Sequence, residues 1–275
     1  MDIAMYEPGY PEKLKTKRQW ALEGYLPLPD CLGTMYWTTP YKDKRARYYC
    51  DQEVAPATKE QLAEYWTPER ERRKENRRRR AAIAKYTASL HKASLLPAVP
   101  CDNPSGTIIF DTETTGKDPG KGHDEILQIS IIDADGNTLI NSYVKPRLHT
   151  EWPEAAAINR ITPEMVSDAP DPEELIPIVK GIFESADTLI AYNGRFDLSF
   201  LDVWGIRPTE EQTVIDVMPL FAEVYGEWSN YYCSYKYQKL STAAKYFGYK
   251  FSAHDSLEDV RATLYVYNRL RGLNP

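Results

Sequence analysis

The sequence predicts two parts in tandem: a small basic α+β module, then an α/β domain whose mixed sheet is flanked by helices. Three observations carry this reading. Residues 1–100 hold 19 Lys and Arg against 13 Asp and Glu, a balance of +6, whereas the rest holds 15 against 27, a balance of −12. A stretch with three prolines and no helical or strand period, "LLPAVPCDNPSG" (95–106), separates the two. Beyond it, three β-prone runs able to pair antiparallel come first, and strands then alternate with helices.

The elements follow in order. In the N-terminal module, "GTMYWTTPYKDKRARYYCDQEV" reads as a hairpin with a turn near Pro40-Tyr41-Lys42-Asp43. "TKEQLAEYW" is a short helix capped by Thr58, and Thr67-Pro68 opens a second, Arg-rich helix with Glu69–Arg73 and Glu75–Arg79 at i,i+4 spacing. The module is assigned to 1–94, the linker to 95–106 and the α/β domain to 107–275. Residues 107–111 form its first strand. "EILQISIIDADGNTLINSYVKP" gives two strands joined at Asp135-Gly136, a strong hairpin signal. "TPEMVSDAP" reads as a helix start, with Thr162 as cap and Pro163 first in the helix. "DPEELIPIVKGIFES" is an amphipathic helix, "DTLIAYN" a buried strand, "RFDLSFLDVWG" a helix ending at Gly205 and "QTVIDVM" another strand. The remainder is mainly helical. In the last helix, Leu257, Val260, Leu264 and Tyr267 fall on one face.

Composition narrows the class. The N-terminus has no basic-then-apolar leader and no run approaches the length of a membrane span, so a soluble cytoplasmic protein is expected. The four cysteines are scattered with no CxxC pair, which argues against zinc and for reduced thiols.

The chemistry sits in acids placed where acids are costly. "IIFDTETTG" (108–116) ends an apolar strand with Asp111 and Glu113, two residues apart and hence on one face. Asp197 interrupts an apolar helix between Phe196 and Leu198, four residues after Asn193. "HDSLEDV" places His254 and Asp259 at the start of the last helix. Most have an ordinary structural explanation alone: one of Asp111 and Glu113 as a turn cap and the other solvated, a capping box from Ser256 to Asp259, a surface loop for His254.

Together, D-x-E, N-x-x-F-D and H-x-x-x-x-D, in this order and on these elements, resemble the three motifs of the DEDDh (DnaQ-like) 3′–5′ exonucleases over about residues 107–272. That family includes the proofreading subunit of bacterial replicative polymerase. His254 matches its histidine branch; the tyrosine branch carries its tyrosine at the position of Asp255. The resemblance implies an RNase H-like five-stranded mixed sheet and two divalent cations, Mg²⁺ or Mn²⁺, held by Asp111, Glu113, Asp197 and Asp259. Hydrolysis by two cations needs carboxylates converging on one point, and oxygen ligands suit these hard ions. His254 is the expected general base, since imidazole ordinarily titrates near neutrality. Thr114, Thr115, Gly116 and Asn193 are the expected substrate contacts. The implied activity is release of nucleoside 5′-monophosphates from DNA 3′ ends in proofreading, repair or trimming. RNA 3′-end processing is the alternative within the family, and a non-catalytic nucleic-acid-binding subunit the alternative outside it; retention of all five residues argues against the latter. Relatives carry His where this chain has Tyr192, His-Gly where it has Asn159-Arg160 and Ala where it has Ser256. These positions lie near the bound nucleotide and bear on substrate preference. The basic and aromatic residues of "YKDKRARYY" suit phosphate contact and stacking, so residues 1–94 are expected to bind nucleic acid, or else a polymerase or other protein partner.

Overall fold

Alternation of apolar side chains on extended backbone decides which face each strand residue buries, and in this chain both faces of one sheet are covered. The computed structural model describes residues 14–37 and 45–272. The chain divides into two units, residues 1–79 and 80–275.

In the first unit, β1 (Lys15–Thr16), α1 (Lys17–Leu22), β2 (Tyr25–Pro27), β3 (Thr34–Trp37), β4 (Arg45–Tyr49) and β5 (Val54–Pro56) precede a long helix, α2 (Lys59–Ser94). The strands β1, β4 and β3 form an antiparallel sheet in that order, and β2 pairs with β5. The expected hairpin strands pair as β3 and β4; the turn expected at Pro40–Asp43 lies outside the described residues. Thr16 and Gln19 close a capping box on α1, and the buried Trp20 Nε1 donates to the Tyr49 carbonyl at 2.9 Å.

Thr58 caps α2 as expected, with Gln61 N donating to its Oγ1 at 3.2 Å and Gln61 Oε1 accepting from its N. The second helix start at Thr67-Pro68 does not occur: Pro68 lies inside a single helix. The exposed proline costs one N–H bond, while long runs of Glu, Arg, Lys and Ala on either side favour helix. Thr67 Oγ1 turns back to the Ala63 carbonyl at 2.7 Å instead of capping. Glu69 pairs with Arg73 at 2.6 Å, but Glu75 faces Arg78 rather than Arg79.

In the second unit, β6 (Thr107–Thr114), β7 (Ile126–Asp133) and β8 (Thr138–Tyr143) form an antiparallel meander. Then come α3 (Pro153–Asn159), α4 (Pro172–Glu184), β9 (Thr188–Ala191), α5 (Gly194–Val203), β10 (Thr213–Asp216) and α6 (Val217–Tyr225). A small hairpin, β11 (Trp228–Ser229) with β12 (Ser234–Tyr235), precedes α7 (Leu240–Tyr246) and α8 (Ser256–Leu270). The sheet order is β10-β9-β6-β7-β8, with β9 parallel to both β6 and β10. This is the five-stranded mixed sheet expected. The hairpin turn falls where Asp135-Gly136 placed it, with Gly136 at φ +86°.

Ile108 and Phe110 face one core with Val179 and Ile182 of α4 and Leu201 of α5. Ile109 and Ile132 face the other, with Val217 and Phe221 of α6 and Val260 and Val266 of α8. Each fully buried side chain of this size contributes roughly 1.5–3 kcal/mol before chain entropy is counted. The face of α8 expected to pack does so, through Leu257, Val260, Leu264 and Tyr267. The end of α2 adds Leu90 and Ala93 to the first core, and Val99 N bonds the Pro177 carbonyl at 2.9 Å.

Two further local expectations fail in the second unit. Residues 163–168 are a series of turns, with Met165 N to Thr162 O and Ala169 N to Val166 O, not a helix. Pro163 and Pro170 enclose too few residues to offset the cost of helix nucleation. The first strand runs to Thr114 rather than 111, and its pairing with β7 shifts register between Glu113 and Thr114.

Candidate active site

The chain lays down β6, β7 and β8 to one side and returns to add β9 and β10 on the other, so order reverses at β6. Clefts form outside the carboxyl ends of strands at such a switch point. Here the cleft has a volume of about 840 Å³ and is lined by Asp111, Glu113, Asp197, His254 and Asp259. Residues from three distant segments meet there.

Strand parity explains the approach. Asp111 and Glu113 share the parity of Ile109 and so leave the sheet toward α8, which carries Asp259. Thr112 shares the parity of Phe110 and points toward α5. Its N and Oγ1 donate to Asp197 Oδ1 at 2.9 and 2.7 Å, which brings the third acid over the strand end. The register shift at Glu113/Thr114 re-aims the strand beside the site, a common use of such irregularities.

The electrostatics are adverse throughout. Burial holds Asp111 well above the ordinary carboxylate range, reinforced by Asp197, Asp259 and Glu113. Glu113 is pushed up to about 8, first by burial and then by Asp259, while a hydrogen bond from Asn159 pulls the other way. Burial raises Asp197 to about 7 against the pull of Thr112. It raises Asp259 to about 7 against the His254 N–H, which donates to Asp259 Oδ2 at 3.1 Å. Asp111 Oδ2 and Asp259 Oδ1 are buried with no hydrogen-bond partner among the described residues. Ligand atoms of Glu113, His254 and Asp259 lie within 4.8 Å of one another. Orphaned oxygens in an all-carboxylate cluster with one imidazole fit a cation site.

His254 is exposed and sits at φ +70°, a left-handed conformation uncommon outside glycine. The strained backbone turns its N–H toward Asp259 while the imidazole stays at the mouth of the cleft. The capping box expected from Ser256 to Asp259 is absent. Asp255 caps α8, accepting from Leu257 N and Glu258 N, and frees Asp259 for the cleft. Ser256 is instead buried, its hydroxyl 2.6 Å from that of Ser130 in β7.

The comparisons with known proteins converge on the same segment. Residues 108–267 match the RNase_T family, described as an exonuclease. The chain belongs to this exonuclease family. An uncharacterised exonuclease of Escherichia phage 186 is 34% identical over 176 residues, covering 59% of this chain and 87% of the phage protein. The PolC-type DNA polymerase III of Caldanaerobacter subterraneus subsp. tengcongensis is 30% identical over 169 residues, again 59% of this chain but 11% of the polymerase. The chain thus matches about a tenth of the length of the PolC-type relatives. Among solved structures, Escherichia coli exonuclease I in complex with a dA16 oligonucleotide superposes with a TM-score of 0.51 at 21% identity, covering 62% of this chain and 41% of that one. That likeness is one of fold.

The remaining expected residues of the exonuclease domain are placed as follows. Thr114, Thr115, Gly116 and Asn193 all line the cleft. Thr114 Oγ1 donates to the Gly116 carbonyl at 2.6 Å, and Thr115 Oγ1 accepts from Glu125 N at 2.9 Å, so both hydroxyls are engaged in shaping the turn. A Cβ on Gly116 would meet the Asp124 carboxyl at 2.3 Å, so a larger residue there would displace the carboxylate that accepts from Asp118 N. Asn193 is left-handed at φ +65°, and its N donates to Asp216 Oδ1, which also accepts from Met218 N at the start of α6.

Two contributors escaped the sequence reading as site residues. Asn159 is buried with Nδ2 on the Thr114 carbonyl, Oδ1 accepting from Ile161 N, and a hydrogen bond to Glu113. The signal was its departure, with Arg160, from the pair that the family resemblance leads one to expect there. Thr112 was visible only as the spacer of D-x-E. Among the described residues, no helix is long and apolar enough to cross a membrane.

Proposed function

We propose that the protein is a metal-dependent 3′–5′ exonuclease that removes nucleoside 5′-monophosphates from DNA 3′ ends. The observation that carries this is the meeting of Asp111, Glu113, Asp197 and Asp259 in one cleft, two of them with orphaned buried oxygens, beside an exposed imidazole. Such repulsion is tolerated where cations offset it. Asp111, Glu113, Asp197 and Asp259 would hold two Mg²⁺ or Mn²⁺ ions, which when bound make water more acidic and offset charge on the phosphate.

The chain's own groups do the rest. His254 accepts the proton of the attacking water on a ring nitrogen, reaching the cleft mouth from its loop. The water oxygen bonds phosphorus, the bond to the 3′ oxygen breaks, and that oxygen takes a proton from solvent. Thr112 fixes Asp197, and Asn159 fixes Glu113. Thr114, Thr115 and Gly116 form the wall against which the terminal nucleotide rests. DNA is favoured over RNA by the DNA polymerase relatives. In the basic module, Arg70, Arg72, Lys74, Arg77 and Arg79 of α2 are exposed with no ion-pair partner among the described residues, a face suited to phosphate contact.

Single-stranded DNA and RNA labelled at either end, incubated with Mg²⁺, Mn²⁺ or chelator, test the reading. Metal-dependent shortening from the 3′ end is expected, with Asp111→Ala reducing it about a hundred- to a thousandfold by analogy with losses of single transition-state contacts. Shortening that survives Asp111→Ala unchanged would remove the acids from the mechanism.

A further inference from the structure

The hairpin between α6 and α7 is the least economical surface of the second unit. Residues 228–237 hold five aromatics in ten positions, against 12% aromatic residues in the whole chain. They are open to solvent: Trp228 is 52% exposed, Tyr231 86%, Tyr232 74% and Tyr237 65%. The tip pair Tyr231–Tyr232 stands edge to face at 4.8 Å, as do Trp228 and Tyr235 at 5.2 Å, an arrangement that leaves ring faces uncovered. Contiguous exposed apolar surface of this kind marks an interaction site.

Its position says what it meets. The hairpin's return strand leads to Gln238, whose carbonyl accepts from the Tyr192 hydroxyl at 2.8 Å, and Tyr192 lines the acid cleft. Two residues on, Leu240 lines the same cleft. Lys236 and Glu227 brace the base of the hairpin at 2.7 Å, and the exposed Lys239 has no ion-pair partner among the described residues. At about 3.3 Å per residue, the six residues from Gln238 back to Tyr232 span at most roughly 20 Å, a few nucleotides of single strand.

We propose that this hairpin is a stacking platform for single-stranded nucleic acid, on which Tyr231 and Tyr232 hold bases a few nucleotides upstream of the 3′ end lying in the cleft. The proposal rests on the exonuclease reading for the direction of the strand. Aromatic faces suit an occupant whose bases differ along its length, because every base has a π face, and each stacked base contributes on the order of 1–3 kcal/mol. Tyr192 is then a positioning residue that ties the platform to the cleft.

The test uses the full chain with Tyr231→Ala/Tyr232→Ala, and Tyr231→Phe/Tyr232→Phe as the conservative control. Both are exposed changes, and matching circular dichroism and melting curves verify folding. Anisotropy of a 5′-labelled dT20 in EDTA reads binding without chemistry, and hydrolysis of dT20 and of a dinucleotide with Mg²⁺ reads reach. Expected are a rise of about tenfold or more in Kd and KM for dT20 in the alanine variant, restoration by phenylalanine, and no change on the dinucleotide, which is too short to reach the tip. Unchanged dT20 binding in the alanine variant, or no dT20 binding by the wild-type chain, overturns the platform. Equal losses on both substrates do so too. A wild-type dimer in light scattering that the alanine variant dissolves, with dT20 affinity intact, would make the face a contact between copies and overturn it as well. Lost binding in a protein that hydrolyses neither substrate supports the platform and sinks the exonuclease reading instead.

Discussion

Replacing Asp197 with asparagine removes a charge and almost nothing else. The amide oxygen of Asp197→Asn can still accept the Thr112 N–H and O–H now received by Asp197 Oδ1 at 2.9 and 2.7 Å. Burial raises the Asp197 pKa from 3.8 to about 7. Between those values the folded protein holds a proton that the unfolded chain has released, so its stability is fully present below pH ~4 and falls as pH rises to ~7. Three units correspond to about 4 kcal/mol for a group acting alone. Proton uptake by neighbouring acids relieves part of this, leaving roughly 2–4 kcal/mol. Metal-free Asp197→Asn should therefore melt above wild type at pH 8 by on the order of 5–15 °C, given 2–4 °C per kcal/mol for a domain of this size. The two curves should converge as pH falls toward ~4, the gap at pH 4.5 being about 1 kcal/mol. Thermal denaturation followed by circular dichroism in EDTA, from pH 4.5 to 8.5, measures this directly. Added Mg²⁺ should raise the wild-type midpoint and leave the variant's nearly unchanged, because a ligand stabilises only the state that binds it. A variant no more stable than wild type at pH 8, or a gain of equal size at pH 4.5, would refute the claim that uncompensated charge is the cost of this site.

Two further perturbations probe separate links. His254→Ala should lower kcat roughly 10²–10⁴-fold with KM within about threefold, since the exposed ring supports no core packing; a KM effect in steady-state hydrolysis that exceeds the kcat effect would make it a binding residue. Gly181→Ala in α4 should destabilise by about 2 kcal/mol or more in urea denaturation, opposite in sign to the usual gain of up to about 1 kcal/mol in a helix, because the new Cβ would sit 1.6 Å from the Val99 carbonyl oxygen.

The gain in apo stability expected from neutralising an acid expresses a trade between stability and activity. Asp111 and Glu113 end a strand whose other residues form the packed centre of the sheet, so the cluster sits on a rigid frame. The Ser130–Ser256 hydroxyl pair does related work: it ties the start of α8 to β7 with a buried hydrogen bond. Asp259 is held at the strand ends by that seam.

Much of the fold was legible because its signals are local. The apolar, β-prone run Ile108–Phe110 marked a buried strand, Asp135-Gly136 a tight turn, and Leu257, Val260, Leu264 and Tyr267 a helix face. Two-residue spacing was also enough to put Asp111 and Glu113 on one side. Local rules failed where two of them competed. Thr67-Pro68 is a helix start in isolation, yet the helix formers on both sides carry α2 through it. Ser256-x-x-Asp259 is a capping box on paper, yet Asp255 one residue earlier takes the cap.

What the sequence by itself determined is the identity of the acids, their order and the strand or helix each occupies, because these depend on side-chain period and on spacing over a few residues. Only the tertiary structure decided that Thr112 reaches Asp197, that Asn159 steadies Glu113, and that a hairpin of exposed tyrosines is tethered to the cleft by Tyr192. Those pairings join residues 46 to 85 positions apart, and no short-range pattern encodes them; they exist because burial of two cores fixes which strand ends meet.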